Sequence, residues 1–159
     1  MTLLQVEEPH DAHVHARLSR DPVVWLTTVR DDGVGHAVPM WFVWDDPQLL
    51  LWASPGTRKL AHLDSRPDVA LHLDTAAGGT DAVLLDGVVR REGAAAWEVP
   101  AFTTKYGDEL GGTEGARAWA ETFSVPLVVD VARILAWDYP GGTFRQTTWP
   151  PGAEDAPAP

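Results

Sequence analysis

The chain contains no cysteine, no asparagine and only two lysines, Lys59 and Lys105. Without cysteine, neither a disulfide framework nor a thiolate metal site is available. Basic residues are scarce as a class: 12 Lys and Arg against 23 Asp and Glu leave a formal net charge of −11. Nucleic-acid binding relies on a basic surface that neutralises phosphates, so this chain is its electrostatic opposite, and no segment clusters enough Lys or Arg to make a local exception. Long apolar runs are missing too; none approaches the roughly 20 residues of a membrane-spanning helix. The opening residues, MTLLQVEEPHDAHVH, are acidic and carry His, unlike the basic-then-apolar layout of a secretory leader. These absences predict a cytoplasmic protein with neither nucleic acid nor membrane as a partner.

What is present suffices for one core. The 159 residues are 45% hydrophobic, which predicts a single domain over residues 1–149. The segment PPGAEDAPAP, residues 150–159, holds too little apolar side chain to join it and is expected to be a disordered tail.

Residues 7–20 read as a short polar helix with Val14 and Leu18 at i and i+4, stopped by Asp21-Pro22. Residues 23–30 (VVWLTTVR) are β-branched and aromatic and predict a strand, and Asp31-Asp32-Gly33 is a turn signal. A second strand is expected over 35–44 (GHAVPMWFVW) and a third over 49–53 (LLLWA). Pro39 gives no ladder hydrogen bond, so it argues for an edge, a bulge or a place where the ladder opens. After a loop at Ser54-Pro55-Gly56, residues 57–65 read as a helix with Leu60 and Leu63 on one face. Strands follow at 69–74 and 82–91, the latter with Gly87 as a bulge or close backbone approach. Helical pieces over 95–106, interrupted by Pro100, and 114–123 precede a long last strand, 125–137. About six antiparallel strands with short helices, and no βαβ alternation, predict a mainly β barrel or sandwich.

The sharpest chemical signal is the segment SPGTRKLAHL. Thr57 fits as the N-cap of its helix, with its hydroxyl on a free backbone N–H. Arg58 and Lys59 then fall in the first turn, where cations oppose the positive end of the helix dipole. A bound anion resolves that conflict by drawing backbone N–H groups, a guanidinium and an ammonium together. The bland alternative is a solvated helix start that tolerates two cations.

The run WLTTVRDDGVGHAVPMWFVW, then LLLWAS, then PGTRKLAHL resembles the pyridoxamine 5′-phosphate oxidase-like superfamily over roughly residues 23–137. The resemblance implies a split β-barrel homodimer that binds FMN or the deazaflavin coenzyme F420. By position Thr57-Arg58-Lys59 matches a Ser-Arg-Lys triplet that grips the cofactor phosphate, and the adjoining Ser54 lies in the same loop. Trp52 and Ala53 match an aromatic-Thr pair that touches the cofactor. Val38, Pro39, Met40 and Trp41 match the strand whose backbone runs along its ring system. The FMN oxidases carry Arg and Lys on that strand, whereas this chain has neither. Together with PVVWLTTVRDDG and Pro-x-Trp-Phe, that departure resembles the F420-dependent branch. The implied activity is hydride transfer to a small conjugated or quinone-like molecule. FMN-dependent chemistry, or non-catalytic flavin or tetrapyrrole binding, are the alternatives.

Other candidates carry less. The catalytic residues are not legible; Tyr106 is one conceivable proton donor. His10, His13 and His15 form an H-x-x-H-x-H cluster, but one helix cannot aim all three inward, so no metal site is expected. His36, His62 and His72 read as surface or interface histidines. Of the eight Trp, Trp25, Trp41, Trp52 and Trp137 fall on expected strands, filling a core or a dimer seam, with Trp41 and Trp52 also placed to line a planar-cofactor pocket.

Overall fold

A computed structural model describes residues 1–153. Helix α1 (Pro9–Arg20) leads into β1 (Val24–Val29), β2 (Gly35–Met40), β3 (Phe42–Asp45) and β4 (Gln48–Ala53). Helix α2 (Arg58–Ser65) precedes β5 (Asp68–Leu73) and β6 (Ala82–Arg90). Then come α3 (Pro100–Leu110), α4 (Thr113–Thr122), β7 (Val125–Asp138) and β8 (Arg145–Trp149). Pro100, expected to interrupt a helix, instead opens α3 at its first position, where a missing N–H costs nothing. No helix among the described residues is long and apolar enough to cross a membrane.

All strands pair antiparallel in the order β2-β1-β5-β6-β7-β4-β3, with β8 added on β7. This is the mainly β, curled split-barrel sheet with four short helices. It also corrects two expectations. Residues 35–44 are two strands, because the chain leaves one end of the sheet at Met40 and re-enters the other end at Phe42. Trp41 alone spans that gap, two residues beyond the Pro39 that foretold an opening. Strand β8 was not expected; its RQTTW sequence has one apolar residue, Trp149, which is buried.

Inside the curl, strands contribute alternate residues: Val24, Leu26 and Thr28 from β1, and Val69, Leu71 and Leu73 from β5. Val14 and Leu18 of α1 and Leu60 and Leu63 of α2 join this core. A second, aromatic cluster lies on the outer side of β3 and β4, where α3 and α4 cover Val43 and Trp52 with Phe102, Tyr106, Ala116 and Ala120.

The expected close approach at Gly87 is present. The β6–β7 register shifts between Asp86 and Gly87. A Cβ on Gly87 would lie 2.6 Å from the Asp130 carbonyl oxygen. Helix α1 is fastened to the sheet by Arg17, which donates to Asp81 at 2.6 Å and to the Asp74 carbonyl at 2.6 Å. His10 meets Thr147 of β8 at 2.7 Å, and His13 meets Asp81 at 2.8 Å. The tail expected over 150–159 lies outside the described residues from 154 onward; residues 150–153 form a turn closed by Ala153 N–H on the Pro150 carbonyl.

Candidate functional site

Strand β4 ends at Ala53, and residues 54–57 turn the chain into α2 with Gly56 at φ +75°. Thr57 is the N-cap residue by position, but it does not cap. Its hydroxyl donates 3.1 Å back to the Ser54 carbonyl, which stiffens the turn; Leu60 N–H bonds the Thr57 carbonyl, and the Arg58 and Lys59 N–H groups have no acceptor among the described residues. That corrects the expected hydroxyl-to-helix bond. Arg58 and Lys59 occupy the first turn, which holds no acidic residue. Arg58 is exposed, whereas Lys59 is half-buried and burial lowers its pKa.

The helix is pinned from both ends and one side. Leu60 and Leu63 are buried, and Arg91 donates to the Leu60 carbonyl at 2.7 Å and pairs with Asp64 at 2.9 Å. His62, one turn beyond Lys59, meets the Thr28 hydroxyl at 2.9 Å. Its ring stands edge-on to that of His36 at 5.4 Å, and the buried His36 Nδ1 has no partner among the described residues. Because Thr28 pairs with His36 across β1 and β2, this cluster brings the start of α2 and strand β2 to the same end of the sheet. Sequence reading treated both histidines as bland; the i, i+3 spacing of Lys59 and His62 was the available signal.

Along β2, the residues expected beside a ring system divide by face. Met40 is buried in the core, Val38 packs against it, and Pro39 is exposed. Strand β2 pairs only with β1, so its far edge is open, and Pro39 blunts that edge. Ala53 is buried in the core and pairs with Val125 of β7.

The two tryptophans, expected to fill a core or seam and also to line a planar-cofactor pocket, both pack in the aromatic cluster on the outer side of β3 and β4. Trp52 is 3% exposed; its ring packs against Phe102 at 5.1 Å and its indole N–H donates to the Ala94 carbonyl at 2.9 Å. Trp41 lies between Tyr106 (4.3 Å, 3°) and Trp119 (5.5 Å, 12°). Both rings are thus taken up by α3 and α4, whose aromatic faces sequence reading did not connect with β3 and β4. Tyr106 is no proton donor to an open site. It accepts from the Phe42 N–H at 3.0 Å and donates to the Pro22 carbonyl at 2.8 Å, and burial raises its pKa far above the ordinary value.

Of the N-terminal histidines, His10 meets Thr147, His13 meets Asp81 at 2.8 Å, and both approach Asp138, at 3.7 and 3.8 Å, but no group of three or more metal-binding side chains is assembled among the described residues. His72 is exposed on β5, stacked on Trp25 at 6.2 Å.

Comparison with known proteins bears on the fold and the family. No curated protein matches the chain. A conserved hypothetical protein from Mycobacterium tuberculosis superposes with a TM-score of 0.66 at 21% identity, covering 86% of this chain and 87% of its own. An F420 reductase does so with a TM-score of 0.55 at 23% identity, covering 76% and 94%. A pyridoxamine 5′-phosphate oxidase-related, FMN binding protein from Nostoc punctiforme reaches 0.59 at 10% identity, covering 89% and 95%. These likenesses establish the fold. The pyridoxamine 5′-phosphate oxidase family model matches residues 10–138, nearly every element from α1 through β7, and the chain therefore belongs to that family.

Proposed function

We infer that this protein is an oxidoreductase that holds F420, with its phosphate at the start of α2. The observation that carries the reading is the pair of cations, Arg58 and Lys59, on a helix N-terminus whose first turn has no acidic residue. Lys59 is partly desolvated, and no neighbouring carboxylate offsets that loss. An anion there meets free N–H groups, a guanidinium and an ammonium at once. The residues present thus fit a phosphate.

When bound in its reduced form, F420 would supply a hydride for two-electron reduction and leave as the oxidised deazaflavin. Arg58 and Lys59 hold the anionic end, and the Thr57–Ser54 bond keeps the loop that presents them. Val38, Pro39 and Met40 offer the open backbone edge of β2 without a charged side chain. That lack of Arg or Lys on β2 favours deazaflavin over FMN, and the F420 reductase among structures of this fold supports it. The substrate class is a small conjugated or quinone-like molecule.

The reading includes a homodimer. The outer face of β1, β5, β6 and β7 carries a shallow depression of about 360 Å³ walled by Thr27, Val29, Ala70, Val88 and Ala132. Trp25 and His72 stack on the outward sides of β1 and β5. A stable dimer covers on the order of 2,000 Å² or more.

Titration by calorimetry, with F420 and FMN in separate runs, tests the cofactor. F420 is expected to bind with the lower dissociation constant. Tighter FMN overturns the choice of cofactor, and binding of neither overturns the site. Light scattering at micromolar concentration tests the dimer, and a stable monomer removes it.

A further inference from the structure

Helices α1 and α3 and strand β3 enclose a groove of about 580 Å³, and none of its lining residues belongs to β2, β4 or α2. Two cations, Arg20 and Lys105, line it together with the hydroxyls of Ser19 and Thr104 and the apolar surfaces of Val43 and Trp44. No carboxylate is among the lining residues. In a chain of net charge −11 such a lining is out of character.

Lys105 is built into place. Its ammonium lies 3.6 Å from the centre of the Phe42 ring, donates to the Phe42 carbonyl at 3.1 Å and reaches the Leu18 carbonyl at 3.5 Å. Leu18 lies in the last turn of α1, so the cation also offsets the negative end of that helix. An ammonium has three donors, and these carbonyls take two. Burial pushes the Lys105 pKa down to about 8; Asp21 opposes that effect but is itself held by Arg17. The Arg20 guanidinium uses its Nε on the Ala16 carbonyl, leaving its other N–H groups without a protein acceptor among the described residues. The groove is rich in donors and poor in acceptors beside an apolar wall.

We propose that this groove binds a small aromatic carboxylate, with the anion between Arg20 and Lys105 and the ring against Val43 and Trp44. The site is independent of the cofactor assignment, since it uses none of the same residues.

The test uses 2-naphthoate and its neutral counterpart 2-naphthalenemethanol as probes on the whole protein, read by calorimetry. Naphthoate is expected to bind at one site per chain and at least about tenfold more tightly than the alcohol. Arg20→Gln and Lys105→Gln should each weaken naphthoate about tenfold. Thr104→Trp, an exposed position on the groove wall, should block binding while both cations remain. Should Lys105→Gln fail to fold, Arg20→Gln and Thr104→Trp still decide. Equal affinity for the two probes, or naphthoate binding unchanged in both Arg20→Gln and Thr104→Trp, overturns the proposal and leaves Lys105 as a helix-end tie alone.

Discussion

The rings of Trp41 and Tyr106 lie parallel, 4.3 Å apart at 3°, and the Tyr106 hydroxyl bridges Phe42 to the Pro22 carbonyl. Helix α3 thereby clamps the one residue at which the chain passes from one end of the sheet to the other. Tyr106→Phe keeps the stack but leaves the buried Phe42 N–H without its acceptor. A loss of about 1–3 kcal/mol is expected in urea unfolding, with little change in cofactor affinity. A variant as stable as wild type would show that the bridge contributes nothing.

At the start of α2, Arg58→Ala and Lys59→Ala should each weaken F420 binding roughly ten- to a hundredfold. Neither should lower the melting temperature of the ligand-free protein, since each removes a cation from the positive end of a helix. Thr57→Ala acts on the loop: it loses the bond to the Ser54 carbonyl, about 0.5–1.5 kcal/mol of stability, and part of the affinity through a looser turn. Melting temperatures and calorimetric affinities of the three variants separate these effects. Unchanged affinity in both cation variants would return the loop to an exposed helix start.

Gly87→Ala places a methyl 2.6 Å from the Asp130 carbonyl oxygen and 2.7 Å from a Val129 methyl. Backbone and core must both give way, at a cost of about 1–3 kcal/mol or more. Equilibrium denaturation measures it, and a neutral substitution would mean the two strands can part freely there.

Lys105 carries a pH signature. Its pKa falls from 10.5 to about 8 on folding. Between those values the unfolded chain keeps a proton that the native state has released, so this residue's contribution rises with pH through that window. The gain is at most about 3 kcal/mol, and less where water enters the groove. Wild type should therefore gain stability relative to Lys105→Met between pH 8 and pH 10. A difference that stays constant with pH would place the ammonium in water.

Asp138 has the opposite sign. Its bonds to Arg145 at 2.9 and 2.6 Å hold its pKa below the ordinary carboxylate value. Its contribution is present above that ordinary value and is lost as pH falls through the depressed one. Asp138→Asn should cost about 1–3 kcal/mol at pH 7, and the gap to wild type should close under acid. An equal gap at pH 7 and pH 3 would assign the loss to packing.

Much of the barrel is written locally. The alternation in VALHLD puts Val69, Leu71 and Leu73 inward, the spacing of Val14 and Leu18 buries both, and Gly87 marks a close approach. What the sequence hides depends on distant partners. RQTTW becomes a strand because β7 offers an edge and His10 of α1 meets Thr147. Trp41 and Trp52 were legible as strand aromatics, but which face they turn to is decided by Phe102, Tyr106 and Trp119 some 50 or more residues later. In the candidate site, Arg58 and Lys59 were legible from helix-end electrostatics. The His36–His62 contact was not, because it requires β2 and α2 to meet through β1.

The register shift opposite Gly87 has a consequence for how one strand serves two sets of neighbours in the sheet. Before Ala132, β7 sends odd-numbered residues into the core, Leu127, Val129 and Val131, with Val128 buried on the other face; after it, the inward set is even-numbered, Ile134 and Ala136, followed by buried Asp138. The same point divides its partners, with Gln48–Ala53 alongside the first part and Arg145–Trp149 alongside the second. Ala132 therefore works as a phase joint. Removing that single residue would bring Val131 and Ile134 to a strict two-residue spacing, so the ladder with β6 would run unbroken while Ile134 and Ala136 kept facing the core. What the extra residue supplies is therefore a local bend, placed where β7 exchanges β4 for β8 as its neighbour, and not the facing of Ile134, Ala136 or Asp138.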